Sequence, residues 1–90
     1  MIKSEVANAI FDGELARLKE EGYEKLAKNA GETTHRNMQG PDGKTYEIRE
    51  YVSDTATPGW LLVTISIGGR LAMRAYQVVV GPNGEFVDLG

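Results

Sequence analysis

The clearest alternation of apolar and polar residues lies in Gly59–Val80, where two apolar runs flank Gly68-Gly69. A Gly-Gly pair favours a tight chain reversal, because the common hairpin turns need positive φ angles that glycine adopts without strain. The pattern therefore predicts a long central β-hairpin with strands over about residues 60–67 and 70–80, and the rest of the chain is expected to cover it.

Two registers are open to this hairpin. A two-residue turn pairs Ile67 with Arg70 and mixes large apolar and polar side chains on both faces. A three-residue loop, with Gly69 in the left-handed conformation, pairs Ile65 with Leu71 and makes one face apolar throughout. Because a slip of one residue moves every side chain to the opposite face, burial favours the three-residue loop.

The register decides what lies on the opposite, outer face. That face is predicted to be polar near the turn but apolar and aromatic at its far end, whereas a solvated sheet face is normally polar along its whole length. Aromatic residues are enriched at the centres of interfaces. We therefore predict an interface or ligand-binding surface made of Trp60, Leu62, Tyr76, Val78, Val80 and Phe86. The alternative is that the C-terminal residues or the loop 53–58 fold back over it.

Two further turns share a Gly-Pro-Asx-Gly pattern, at Gly40–Gly43 and Gly81–Gly84. Proline presets φ at the first turn position, and the last glycine supplies the left-handed residue. Both turns predict three-residue loops, the first of which places Met38 opposite Tyr46. The five predicted strands span about residues 33–39, 44–52, 60–67, 70–80 and 85–89.

The segment before the strands has apolar residues at spacings of three and four, which predicts a helix over about residues 4–29. Gly22 lies on the apolar stripe. We interpret it as a kink or a close approach within one continuous helix; the alternative is a break at Gly22 followed by a second short helix. A shorter stripe of Ile2, Val6 and Ile10 either flanks the core or meets another chain.

These elements predict an α+β fold, with one long N-terminal helix packed on one face of a four- to five-stranded antiparallel meander sheet. Residues 1–90 are expected to form a single domain. The predicted core combines the main helix stripe with one face of each strand. Its members are Phe11, Leu15, Leu18, Leu26, Met38, Tyr46, Ile48, Val52, Leu61, Val63, Ile65, Leu71, Met73, Val79 and Val87.

In topology alone, a long helix followed by hairpins wrapped across it resembles the cystatin/monellin arrangement. The string nearest to the cystatin inhibitory motif Gln-Val-Val-Ala-Gly is Gln77-Val78-Val79-Val80-Gly81, which differs at the fourth position and runs into a turn. We interpret that string as the end of a strand. The resemblance therefore implies a fold by analogy only and carries no function.

Composition narrows the function classes. The chain has 90 residues, of which 41% are hydrophobic and 26% charged, as is usual for a globular domain. It has no cysteine, which excludes disulfides, thiolate metal sites and a thiol nucleophile. The net charge of −3 argues against nucleic acid as the main partner. The sequence has no long apolar run typical of a signal peptide or a membrane span, so we expect a cytoplasmic protein without membrane contact.

Candidate chemistry is sparse. His35 is the single histidine, and it is expected on the outer face of the first strand near Arg49, in solvent. The carboxylates occur singly or in helix pairs such as Glu21 with Lys25, and no cluster has metal-ligand spacing. The Gly68–Arg70 stretch could cradle an anion, but such a stretch in a hairpin is usually just a turn. We therefore expect no enzyme activity, no cofactor and no metal.

The remaining hypotheses are two kinds of binding. The first is an interaction or structural protein that forms a homodimer through the predicted outer surface. The second is a small-ligand or peptide-binding module that uses the same surface, with Trp60, Tyr76 and Phe86 as an aromatic platform.

Overall fold

The computed structural model describes residues 2–68 and 73–89, and these form an α+β fold. Five antiparallel strands make one open sheet in which each strand pairs with its neighbour along the chain. This confirms the predicted helix-and-meander architecture. The elements are α1 (Ser4–Glu21), α2 (Tyr23–Lys28), β1 (Thr33–Gln39), β2 (Thr45–Asp54), β3 (Leu61–Gly68), β4 (Met73–Val80) and β5 (Phe86–Asp88).

The helical segment is broken at Gly22, so the prediction of one continuous helix is wrong and the alternative of a second short helix is right. Gly22 has φ 87° and ψ 164°, a conformation that side chains strongly disfavour. Its N–H still donates to the carbonyl of Leu18 at 3.1 Å, which ends α1. The chain then starts α2 at Tyr23, and Leu26 of α2 is fully buried.

The shorter helix stripe flanks the core. Ile2, Val6 and Ile10 are all buried in the same cluster as Phe11 and Leu18 of the main stripe. The two stripes therefore form one broad apolar face of α1, and the shorter one gives no support for a contact with a second chain.

Both Gly-Pro-Asx-Gly turns have the predicted three-residue loops. The Gly40 N–H donates to the Lys44 carbonyl and the Gly81 N–H donates to the Glu85 carbonyl, each at 2.8 Å. Met38 pairs with Tyr46, as expected. A Cβ at residue 40 would lie 2.7 Å from the Tyr46 ring, so the first glycine of that turn is required by close packing.

The central hairpin has a different register from the predicted one. Gly68 pairs with Met73, which leaves four residues between the paired ends, and Ile65 pairs with Tyr76. The predicted pairing of Ile65 with Leu71 is therefore wrong. Leu71 and the predicted left-handed Gly69 lie outside the described residues.

This register reverses the two faces of β4. Val78 and Val80 are 0% exposed beneath the helix, whereas Met73 is 66% exposed on the other side. Val79 pairs with Val87 as predicted, but both lie on the outer face, so Met73, Val79 and Val87 do not belong to the core. The physical reason is that the observed register buries Val78 and Val80 and stacks the half-buried Tyr76 on Phe11 of α1.

The inner face of the sheet, on which α1 packs, holds the core. Along β3 every second residue is buried: Leu61, Val63, Ile65 and Ile67. No helix in the described ranges combines the length and the apolar character needed to cross a lipid bilayer.

Candidate functional site

The six residues of the predicted outer surface are separated by the sheet. Val78 and Val80 are fully buried on the inner face, so their assignment to the outer face is wrong. Tyr76 also lies on the inner side, where its ring stacks on Phe11 with centroids 4.4 Å apart and its hydroxyl donates to Asn8 Oδ1 at 2.9 Å. These three residues attach the sheet to the helix.

Phe86 is the fourth predicted surface residue that faces inwards. It pairs with Val80 across β4 and β5, and its half-buried ring lies beneath Lys19 of α1, whose Nζ is 5.7 Å from the ring centroid. The predicted platform of Trp60, Tyr76 and Phe86 is therefore not a single surface.

Trp60 and Leu62 are not on the inner face. Leu62 is half-buried on the outer side of β3. Trp60 precedes β3 and packs over the second Gly-Pro-Asx-Gly turn, where a Cβ at Gly81 would lie 2.8 Å from its ring. The indole of Trp60 is therefore packed against this turn.

The outer face has its own apolar cluster at one corner, which the sequence interpretation missed because it depended on the register of β4. Leu62 pairs with Val79, and Val79 pairs with Val87, so the three form a row across β3, β4 and β5. Leu89 follows Val87 on the same side, and its N–H donates to the Gln77 carbonyl at 2.9 Å. We call these four residues, Leu62, Val79, Val87 and Leu89, the outer corner.

The outer corner is open to solvent. Val87 is 47% exposed and Leu89 is 56% exposed, so neither the described C-terminal residues nor the loop before β3 covers them. Tyr51, 43% exposed, lies beside the corner because it pairs with Thr64 in the next row of the sheet. Exposed apolar side chains that adjoin one another in this way are typical of interaction surfaces.

Charge is nearly absent from the outer face. Among the charged residues of the described strands, two lie at outer positions, Glu47 and Arg49, and they form an ion pair with each other. The others pair with inner-face residues of a neighbouring strand and are Arg36, Glu50, Asp54, Arg74 and Asp88. The outer positions of the strands therefore have no net charge.

A second cluster, which sequence reasoning also missed, joins α1 to β1 and β2 through charged side chains. Glu14 is 4% exposed and Glu50 is 8% exposed. Arg36 forms an ion pair with Glu14, and Arg17 forms ion pairs with Glu50 and, at 3.3 Å, with Glu14. Each buried carboxylate thus has a guanidinium partner. The signal in the sequence was the position of these two carboxylates. Glu14 lies on the apolar stripe of α1, and Glu50 lies on the buried face of β2.

The carboxylates of this cluster favour the charged form of Arg17. Burial opposes the charge of Arg17, but the carboxylates of Glu50, Glu14 and Glu21 outweigh that effect and raise the pKa of the Arg17 guanidinium. We interpret the cluster as a structural link between helix and sheet.

The first Gly-Pro-Asx-Gly turn contains a tyrosine–aspartate hydrogen bond. The Tyr46 hydroxyl donates to Asp42 Oδ2 at 2.5 Å, and the Lys44 N–H donates to Asp42 Oδ1 at 3.2 Å. The bond from Tyr46 is the main reason why the pKa of Asp42 is lowered, and the same bond raises the pKa of Tyr46. The pair therefore stabilises the closed turn while Asp42 is ionised and Tyr46 is protonated.

The other candidate groups lie on the surface. His35 is exposed, with its Nδ1 3.9 Å from Glu47 Oε1. In the described part of the chain, no three histidine, aspartate or glutamate side chains are grouped so that they could hold a metal ion. The predicted helix pair of Glu21 and Lys25 is present at 3.8 Å.

Two surface depressions lie away from the outer corner. One is lined by Arg17 and other charged residues of the two helices, and the second lies between the start of α1 and the turn at Pro41-Asp42. Comparison with protein-family models, with curated proteins and with solved structures gave no match.

Proposed function

We propose that this protein is an interaction module that forms a homodimer through the outer face of its sheet, with the outer corner in the contact. One observation carries the proposal. The large apolar side chains that are exposed in the described residues all lie on the outer side: Tyr51, Met73, Val87 and Leu89. An antiparallel sheet covered on one side by a helix normally has a polar solvent face, so this distribution favours a second protein surface.

The charge of the outer face favours a second copy of the chain as the partner. In a two-fold dimer the same patch meets itself, so a patch with net charge repels its copy. The outer strand positions have no net charge, because Glu47 and Arg49 form an ion pair with each other, although the chain as a whole has a charge of −3. Self-association through this face therefore brings no like net charges together.

The same charge distribution does not favour nucleic acid. Binding to phosphates needs several unpaired cations on one surface. Among the described strand residues, the outer face offers Arg49, which already has Glu47 as a partner. The two depressions described above, in the part of the chain that the structure describes, lie away from the outer corner.

Sedimentation equilibrium over a wide concentration range tests the proposal. The native chain should show a concentration-dependent mass between monomer and dimer. The double variant Val79→Thr, Val87→Thr keeps the β-branched shape but adds two hydroxyls to the outer corner, so it should dissociate at least tenfold more readily. A matched double variant on the exposed side of α1, Ala9→Ser with Ala16→Ser, should associate as the native chain does.

Far-UV circular dichroism on the same samples checks that the three proteins have the same fold. A native chain that stays monomeric at every concentration would contradict self-association. Equal dimer dissociation for the native chain and the outer-corner variant would show that another surface makes the dimer.

A further inference from the structure

We infer that the two copies pack face to face about a two-fold axis that runs along β4, so that Val79 of one copy lies over Val79 of the other. This inference rests on the proposed function, because it assigns the geometry of the same contact. It follows from the order of the strands and from where apolar and charged side chains lie along the rows of the sheet.

A rotation about β4 brings apolar residues of the two copies together. One row across the sheet contains Ser53, Leu62, Val79 and Val87, on β2, β3, β4 and β5 respectively. Because β3 and β5 flank β4, a two-fold rotation about β4 exchanges their positions. Val87 of one copy then lies over Leu62 of the other, with Val79 at the axis, and every contact in this row is apolar.

The position of the ion pair between Glu47 and Arg49 also favours an axis on β4. Glu47 and Arg49 are on β2, two strands from β4. An axis on β4 leaves β1 and β2 outside the overlap, so the pair stays in water. An axis on β3 would instead place Arg49 over Ala75 of the other copy, because both are in one row with Ser66. Burying a charge pair against an apolar residue costs free energy that the β4 axis avoids.

The size of the contact predicts a weak dimer. The eight residues of β4 are about 26 Å long and the three residues of β5 about 10 Å long, so with strands about 4.8 Å apart the flat overlap is roughly 220 Å² per copy. Stable dimers bury about 800 Å² of accessible surface per partner. The β4 arrangement is therefore expected to form a reversible dimer that exchanges rapidly with monomer.

Single cysteine variants can locate the axis, because the native chain has no cysteine. Val79→Cys and Ser53→Cys change two outer positions of the same row, two strands apart. With the axis on β4, the two thiols of the Val79→Cys dimer lie across the axis, whereas those of the Ser53→Cys dimer are about 20 Å apart along the sheet. With the axis on β3, residues 53 and 79 are equally far from the axis. The two thiols would then be about 10 Å apart along the sheet in either variant dimer.

We expect the Val79→Cys variant to form a disulfide-linked dimer under mild oxidation at least tenfold faster than Ser53→Cys. Ala16→Cys, on the exposed side of α1, gives the rate of random collision. Equal rates for Val79→Cys and Ser53→Cys, or a faster rate for Ser53→Cys, would contradict the β4 axis.

The mass of the native chain separates the two ways in which the idea can fail. If the native chain dimerises but Val79→Cys reacts no faster than Ala16→Cys, the axis is wrong and the proposed homodimer stands. If the native chain is monomeric, the proposed function is wrong and the axis is wrong with it.

Discussion

The inner and outer faces of this sheet are built from the same strands but differ in what covers them. On β3, Leu61, Val63, Ile65 and Ile67 are buried beneath α1, while the alternate residues are half-buried. Two charged residues of the inner face, Arg36 and Glu50, form ion pairs with Glu14 and Arg17 of the helix. The outer face has no covering element among the described residues, and it has an apolar corner in place of charge. The helix therefore covers the inner face and leaves the outer face available for a partner.

Removing one large side chain from each face should give the largest difference in stability. Leu18→Ala empties a site that is fully buried between α1 and the sheet, so it should lower the free energy of unfolding by about 2–5 kcal/mol. Leu89→Ala on the outer corner should change it by no more than about 0.5 kcal/mol for the monomer. Urea unfolding at low protein concentration measures both. Equal losses would show that the outer face is also part of the monomer core.

The ion pair between α1 and the sheet gives a second test of how the inner face is stabilised. Glu14→Gln leaves Arg36 without its partner carboxylate. We expect a loss of about 1–3 kcal/mol in the free energy of unfolding, less than for a fully buried pair because Arg36 is partly exposed. The control is Glu20→Gln, an exposed position two turns along α1, which should change stability by no more than about 0.5 kcal/mol. Similar small effects of the two variants would mean that the cluster contributes little.

The hydrogen bond at the first turn gives a smaller, pH-dependent effect. Because the pKa of Asp42 is lowered in the folded state, its contribution is present above the unfolded pKa of about 3.9 and is lost as pH falls through the folded value. The pKa of Tyr46 is raised, so its contribution is present below about pH 10 and is lost as pH rises through the folded value.

Two variants test the acid and the alkaline loss of stability separately. Asp42→Asn should reduce the fall in stability on acidification, and Tyr46→Phe should remove part of the decline at alkaline pH. Thermal unfolding between pH 2 and pH 11 measures both limbs. An acid limb that is identical in the native chain and in Asp42→Asn would contradict the role of this bond.

The parts of the fold that the sequence predicts well are those with a strong local signal. The two Gly-Pro-Asx-Gly turns fix their own loop length, so the pairing of Met38 with Tyr46 and of Val79 with Val87 is correct. The break at Gly22 was open to both interpretations, because a glycine on an apolar stripe fits a kink as well as a helix end.

The outer surface could not be placed from sequence because β4 has apolar residues in both alternating sets. Tyr76, Val78 and Val80 alternate with Ala75 and Val79, so local pattern does not decide which set is buried. The choice is made by contact with α1, as in the stacking of Tyr76 on Phe11, which lies far away in the chain. A wrong loop length in the central hairpin then moved four of the six predicted surface residues to the wrong face.

The most direct test of the central claim is a dilution series of ¹H–¹⁵N correlation spectra of the native chain. We predict that the amide resonances of outer-face residues of β3 to β5 shift with protein concentration. The shifts of Leu62, Val79 and Val87 should be among the largest. Exposed residues of α1, such as Ala16, should not shift. Shifts confined to the helices, or spectra that are unchanged from micromolar to millimolar concentration, would contradict self-association through the outer corner.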